Sequence, residues 1–256
     1  MATIITIANQ KGGVAKTTST RHLAYFLDLA GCKTLVIDND HQANLTQYFG
    51  LDPIECEEAH GSMYHVITGA KTIRDVMVQV NERVFVVPAA LSLAEAGARL
   101  IHETDVNGVL KAALREVAGE FDVILIDCGP NLERLLINAL VASQWVIVPV
   151  KTDSLSISGI PALVSTITKV RASMNPTLQL LGVLPTIYHP GRQADEKALA
   201  RLRDEAKAAG ISVFDPIPAA TNYDKAADLQ KPVFEVFPET PGREEYELLA
   251  QLIKVL

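Results

Sequence analysis

Cysteine is scarce. The three in 256 residues, Cys32, Cys56 and Cys128, show no CxxC spacing. That excludes a disulfide framework and a cysteine-built metal or iron–sulfur centre, and it fits a reducing cytoplasm. No apolar run approaches the ~20 residues that span a bilayer. No basic segment precedes the short N-terminal apolar stretch, as a signal peptide would require. Basic residues are not in excess: 23 Lys/Arg stand against 30 Asp/Glu, a net charge of −7, so the chain has no global basic signature for nucleic acid. The deficit is uneven. Residues 1–150 carry a net −6 and residues 151–256 a net −1, so any polyanion-binding face is expected in the C-terminal part. Gly/Ser linkers, repeats and low-complexity tracts are also missing. With 48% hydrophobic residues, the chain is read as one domain over residues 1–256.

What is present is an alternation of strand-length apolar runs and helical patterns. Strands are expected at Thr3–Ala8, Thr34–Asp38, Val84–Val87, Val123–Asp127, Trp145–Val150, Leu180–Pro185 and Ser212–Phe214. Most are continuously hydrophobic, as strands covered on both faces are. Helices are expected at Thr17–Ala30, Leu91–Ile101, Val106–Ala118, Leu132–Ala142, Ser158–Ser173, Asp195–Ala209 and Arg243–Val255. This predicts an α/β fold with a doubly wound, mostly parallel sheet, whose ligands bind at the carboxyl ends of the strands. The stretch Leu51–Arg83 is the least regular and is expected to hold short helices.

The most informative run is Lys11-Gly12-Gly13-Val14-Ala15-Lys16-Thr17-Thr18. It lies between an apolar strand and an amphipathic helix. Such a junction aims backbone N–H groups and the positive end of the helix dipole into one small space, which suits phosphate. Lys16 adds charge for the β/γ-phosphates and the Thr17 hydroxyl can ligate Mg²⁺. The ordinary pattern G-x-x-x-x-G-K-[ST] would place Gly at positions 10 and 15, which here hold Gln10 and Ala15. A second lysine, Lys11, opens the loop instead. This K-G-G-x-x-K-T form resembles the deviant Walker A motif of the ParA/MinD family of P-loop ATPases. The resemblance implies that Lys11 reaches the nucleotide of a partner subunit.

Two acidic strand ends extend the resemblance. Asp38-Asn39-Asp40-His41-Gln42-Ala43-Asn44 reads on local pattern alone as a solvated turn. It is similar to the D-x-D-P-Q-x-N switch I loop of the ParA branch, with His41 where that family usually has Pro. The resemblance implies that Asp40 positions the attacking water and that Asp38 shapes the loop and the metal shell. Phe121–Asp127 has the Walker B form, an apolar strand ending in Asp, so Asp127 is expected in the Mg²⁺ shell. Gly129-Pro130 follows where the family often has Pro-Pro. Ile217-Pro218 resembles the element whose backbone borders the adenine. No N-K-x-D run is present, which disfavours a GTPase. The resemblance covers nearly the whole chain.

It implies an ATPase that takes ATP and Mg²⁺, dimerises on ATP and binds non-specific DNA. A ParB-like or other cargo adaptor would stimulate hydrolysis, and the protein would be cytoplasmic and nucleoid-associated. Arg192, Lys197, Arg201 and Lys225 are the candidate DNA contacts. The same charges, interleaved with Asp195, Glu196, Asp204 and Glu205, read equally well as a solvated face. The alternatives are a MinD-like membrane-bound positioning ATPase, a metabolic ligase of the same P-loop branch, and a DNA-binding regulator for which ATP is only a ligand. The C-terminal run Glu244–Leu256 carries three Glu and one Lys rather than a basic face, so it is expected to pack on the core and not on a membrane.

Overall fold

The computed structural model describes residues 2–99, 106–130 and 133–256. Its strands are β1 (Thr3–Ile7), β2 (Thr34–Asn39), β3 (Val78–Gln79), β4 (Val84–Val87), β5 (Val123–Cys128), β6 (Trp145–Lys151) and β7 (Gln179–Thr186). They form one sheet in the order β3-β4-β2-β5-β1-β6-β7. Only β3, hairpinned to β4, runs antiparallel; the other pairs are parallel. The expected doubly wound sheet is therefore present. Its register sets Ile7 beside Asp127 and Asp38 beside Asp127, so the carboxyl ends of β1, β2 and β5 finish level with one another.

Alternation along the strands builds a core on each face of the sheet. Ile4, Leu35, Ile124 and Val146 face one layer, which the helices Glu133–Ala142 and Ile160–Ser173 cover with Leu136, Leu140, Leu163 and Ile167. Ile5, Ile7, Val36 and Leu125 face the other. That layer is covered by the first helix, Lys16–Leu29, through Leu23 and Leu27, and by the last, Arg243–Lys254, through Tyr246, Leu249 and Ile253. Each such side chain contributes about 1.5–3 kcal/mol on burial. The last helix thus packs on the core, as its sequence predicts.

Two expectations change. Ser212–Phe214 is not a strand but a single parallel bridge, Val183 to Val213. Val183 donates to Ser212 O and accepts from Phe214 N, both at 2.9 Å. Asp215-Pro216 then follows, and proline has no N–H with which to extend a ladder. Phe214 packs over Gly182, where a Cβ would come within 2.7 Å of its ring. Conversely, β3 falls inside the irregular stretch, where two residues are too few to show a period. That stretch also holds the short helices Pro53–Ala59, Met63–Ile67 and Ile73–Val76. The Asp52 carboxylate caps the first by accepting from Ile54 N and Glu55 N. The expected ends Ile101 and Leu132 lie outside the described residues.

Candidate active site

The glycine-rich loop leaves β1 and enters the first helix at Lys16. Gly13 has φ 68° and Ala15 φ 59°, so both sit in the left-handed region. This explains why the ordinary pattern puts glycine just before the lysine. Here alanine holds that conformation at a cost of about 1–2 kcal/mol. Asn9 braces the loop from below: its Nδ2 donates to Pro149 O at 2.7 Å and its Oδ1 accepts from Lys11 N at 2.9 Å. Thr186 Oγ1 donates to Val14 O at 3.1 Å from the end of β7. The Lys16 ammonium is largely buried and donates to Lys11 O at 3.0 Å. Burial holds its pKa below the usual lysine range, against the pull of Asp127.

The two acidic strand ends meet the loop from the other side. Thr17 Oγ1 donates to Asp127 Oδ2 at 2.7 Å and Thr20 Oγ1 to Asp127 Oδ1 at 3.2 Å. Asp127 is buried, and its pKa is pushed up to about 8 by burial first and by the neighbouring Asp38 second. Asp38 is fully buried, and burial raises its pKa to about 6. Its oxygens serve its own loop: Oδ2 accepts from Thr46 N at 2.9 Å and Thr46 Oγ1 at 2.7 Å, and Oδ1 accepts from Asp40 N at 3.2 Å. Asp38 therefore shapes the switch loop, and Thr17 with Asp127 is the better placed pair for a cation. Among the described residues no cluster of three His, Cys, Asp or Glu side chains could hold a metal by itself. A Mg²⁺ here would draw its other ligands from phosphate and water, as Mg²⁺ commonly does. Asp40 Oδ1 accepts from Gln42 N at 3.0 Å, and the residue is 8% exposed.

A cleft of about 1090 Å³ opens over the loop and Asp40. Gly12 to Thr18, Asp40 and Pro130 line one end, and Ile217, Pro218, Tyr223 and Asp224 the other. Pro218 is fixed by a bridge to Tyr188, whose O accepts from Ala219 N at 2.7 Å. The sequence reading named the loop, Asp40 and Pro218, which line this cleft, and Asp127, which meets the loop through Thr17 and Thr20. It missed Asn9, Thr186 and Thr20. Asn9 had a signal, an amide side chain at the junction of strand and glycine loop. Thr186 comes from a distant strand and had none.

Lys11 extends toward the segment after β6, where a Cβ on Gly159 would lie 3.7 Å from Lys11 Cε. The DNA candidates are all exposed. Arg192 pairs with Asp195 at 3.5 Å and Arg201 with Glu205 at 2.6 Å. Lys197 lies on the helix Gln193–Ala208 and Lys225 on Asn222–Asp228.

Comparison with known proteins agrees with this geometry. A family model described as an AAA domain (AAA_31) matches residues 2–180. The chromosome-partitioning ATPase Soj of Treponema pallidum is 31% identical over 256 residues, covering 99% of this chain and 97% of Soj. Its counterpart from Thermus thermophilus is 33% identical over 248 residues, covering 96% and 93%. Among solved structures, cobyrinic acid a,c-diamide synthase from Mycobacterium smegmatis with bound ADP and magnesium superposes with a TM-score of 0.84. It is 32% identical and covers 98% of this chain and 93% of its own. With the two-lysine loop, the paired acidic strand ends and full-length similarity to Soj, the chain belongs to the ParA/MinD family of P-loop ATPases, on its ParA branch.

Proposed function

We propose that this ATPase binds ATP with Mg²⁺, closes into a homodimer, and in that state holds duplex DNA of any sequence. Hydrolysis, stimulated by a ParB-like or other cargo adaptor, releases the DNA, so the cycle segregates or positions cargo on the nucleoid in the cytoplasm. The observation that carries the reading is the convergence of loop, Thr17–Asp127 bond and Asp40 on one cleft at the level ends of β1, β2 and β5.

The backbone N–H groups of the loop and the Lys16 ammonium bind the phosphates. Thr17, with Asp127 behind it, holds the Mg²⁺ shell. When bound, the ion would supply charge neutralisation on the nucleotide phosphates. Pro218 borders the base. Asp40 orients the water that attacks the terminal phosphate, and Lys11 adds its charge across the dimer interface. Catalysis is then positioning and electrostatics rather than covalent chemistry.

The DNA step rests on the C-terminal charge balance and on exposed Arg192, Lys197, Arg201 and Lys225. Closure of a dimer doubles whatever basic face they form. Affinity of this kind comes from phosphate contacts and counterion release, so it falls steeply with salt. A gel-shift series with ATP, ADP and no nucleotide tests it. The expected outcome is an ATP-dependent shift of any duplex, reduced by Arg192→Glu with Lys225→Glu while ATP-dependent dimerisation is unchanged. Pelleting with anionic liposomes and no DNA shift would favour the membrane-bound alternative. The synthase neighbour motivates the ligase alternative, which predicts little ATP turnover until a second small substrate is added.

A further inference from the structure

We propose that His41 and Gly129 are positioning residues for the Asp40 carboxylate, a proposal that rests on Asp40 being the water-orienting group. They are the two places where the switch segments depart from the family pattern, and both meet the same carboxylate. A Cβ on Gly129 would lie 2.9 Å from both Asp40 Cγ and Oδ1. Real Cβ atoms do not approach so closely, so any larger residue displaces the carboxylate or the end of β5. Gly129 has an ordinary backbone conformation, so the requirement is for space, not for φ.

His41 approaches the carboxylate from its own loop. Its Nδ1 is 3.5 Å from Asp40 Oδ1. That nitrogen is buried and has no hydrogen-bond partner. The far ring nitrogen bears on the tautomer. His41 Nε2 lies 2.7 Å from Gln42 Nε2. With the Gln42 amide in this orientation its nitrogen donates and Nε2 accepts, which leaves the imidazole proton on Nδ1, 3.5 Å from Asp40 Oδ1 and not hydrogen-bonded to it. Gln42 thus acts at both ends, because its backbone N–H also donates to Asp40 Oδ1 at 3.0 Å. The Gln42 N–H bonds Oδ1, and His41 Nδ1 stands 3.5 Å from the same oxygen, near enough to bond it after a small rotation of the ring. Asp40 Oδ2, which makes no hydrogen bond with the described residues, is left to accept from the attacking water.

The test is multiple-turnover phosphate release by the full chain at saturating Mg²⁺–ATP, with nucleotide affinity and thermal unfolding measured in parallel. His41→Leu removes the N–H that would bond Oδ1 when the water is in place and should lower kcat at least about tenfold, the scale of one hydrogen bond to a charged group, with KM for ATP unchanged. His41→Asn restores an N–H near the Nδ1 position and should recover most of that rate. Gly129→Ala should lower kcat in the same way while ATP still binds. Wild-type kcat in His41→Leu or in Gly129→Ala, or no recovery in His41→Asn, would overturn the proposal. Asp40→Ala is the separate control. If it hydrolyses ATP at the wild-type rate, the assignment of Asp40 itself is wrong; if it is inactive while both neighbours tolerate substitution, only the present proposal falls.

Discussion

The two lysines of the phosphate loop are alike in charge and opposite in surroundings. Lys16 is buried, bonded to its own loop and depressed in pKa by burial. Lys11 is half-buried and reaches away toward Gly159. Lys16→Ala should abolish tight ATP binding, whereas Lys11→Ala should leave binding largely intact and block dimer closure; calorimetry and sedimentation separate the two. A second residue-scale expectation concerns His22, on the first helix. Its Nδ1 donates to Thr18 O at 2.6 Å and its Nε2 accepts from Val233 N at 3.0 Å, so the ring is neutral and satisfied on both sides. Burial, aided by nearby Arg21, lowers its pKa from 6.5 to about 3. The unfolded chain therefore takes up a proton below pH 6.5 that the folded chain refuses until about pH 3. Stability is flat in this group above that window and falls as pH drops through it, by up to about 1.4 kcal/mol per pH unit. Urea denaturation of wild type and His22→Asn at pH 7, 6, 5 and 4 should show the shallower decline in the variant. Parallel declines would show that His22 is not held neutral.

At the scale of elements, the last helix separates what packs from what only looks apolar. Leu249 is buried against the first helix, while Leu248 is 54% exposed. Leu249→Ala should cost about 2–5 kcal/mol by urea denaturation, and Leu248→Ala no more than about 0.5 kcal/mol. Equal effects would contradict the packing of this helix. The helix was legible because its buried positions, 246, 249, 250 and 253, recur at the helical period and its polar face is acidic. The long strands were legible for a related reason, since burial on both faces leaves a continuous apolar run. Val213 was not, because its strand-like residues carry one bridge before Pro216 ends the ladder. The loop and the Asp127 strand end were readable because phosphate and metal chemistry dictates local spacing. Asp38 was only half readable: its pairing with Thr46 depends on how the switch loop folds back, and spacing does not encode that. The bracing by Asn9 and Thr186 joins β1, β6 and β7 across more than 130 residues, beyond the reach of any local pattern.

For the whole molecule, the sheet is a scaffold that brings four chain segments to one edge. The glycine-rich loop after β1, Asp38 and Asp40 at the end of β2, Asp127 near the end of β5, and the Tyr188–Pro218 bridge meet there. With a net charge of −7, the proposed DNA binding would be a property of an assembled face and not of the monomer's overall field. The ion pairs of Arg192 and Arg201 further limit what one copy can offer. The central claim is therefore that ATP assembles two chains and that Asp40 times their separation. Sedimentation velocity of Asp40→Ala with Mg²⁺–ATP tests it most directly. The account predicts a stable species of twice the 27.7 kDa chain that persists because hydrolysis is blocked, against a transient one for wild type. A monomer at saturating ATP, or a dimer that decays as fast as wild type, would contradict it.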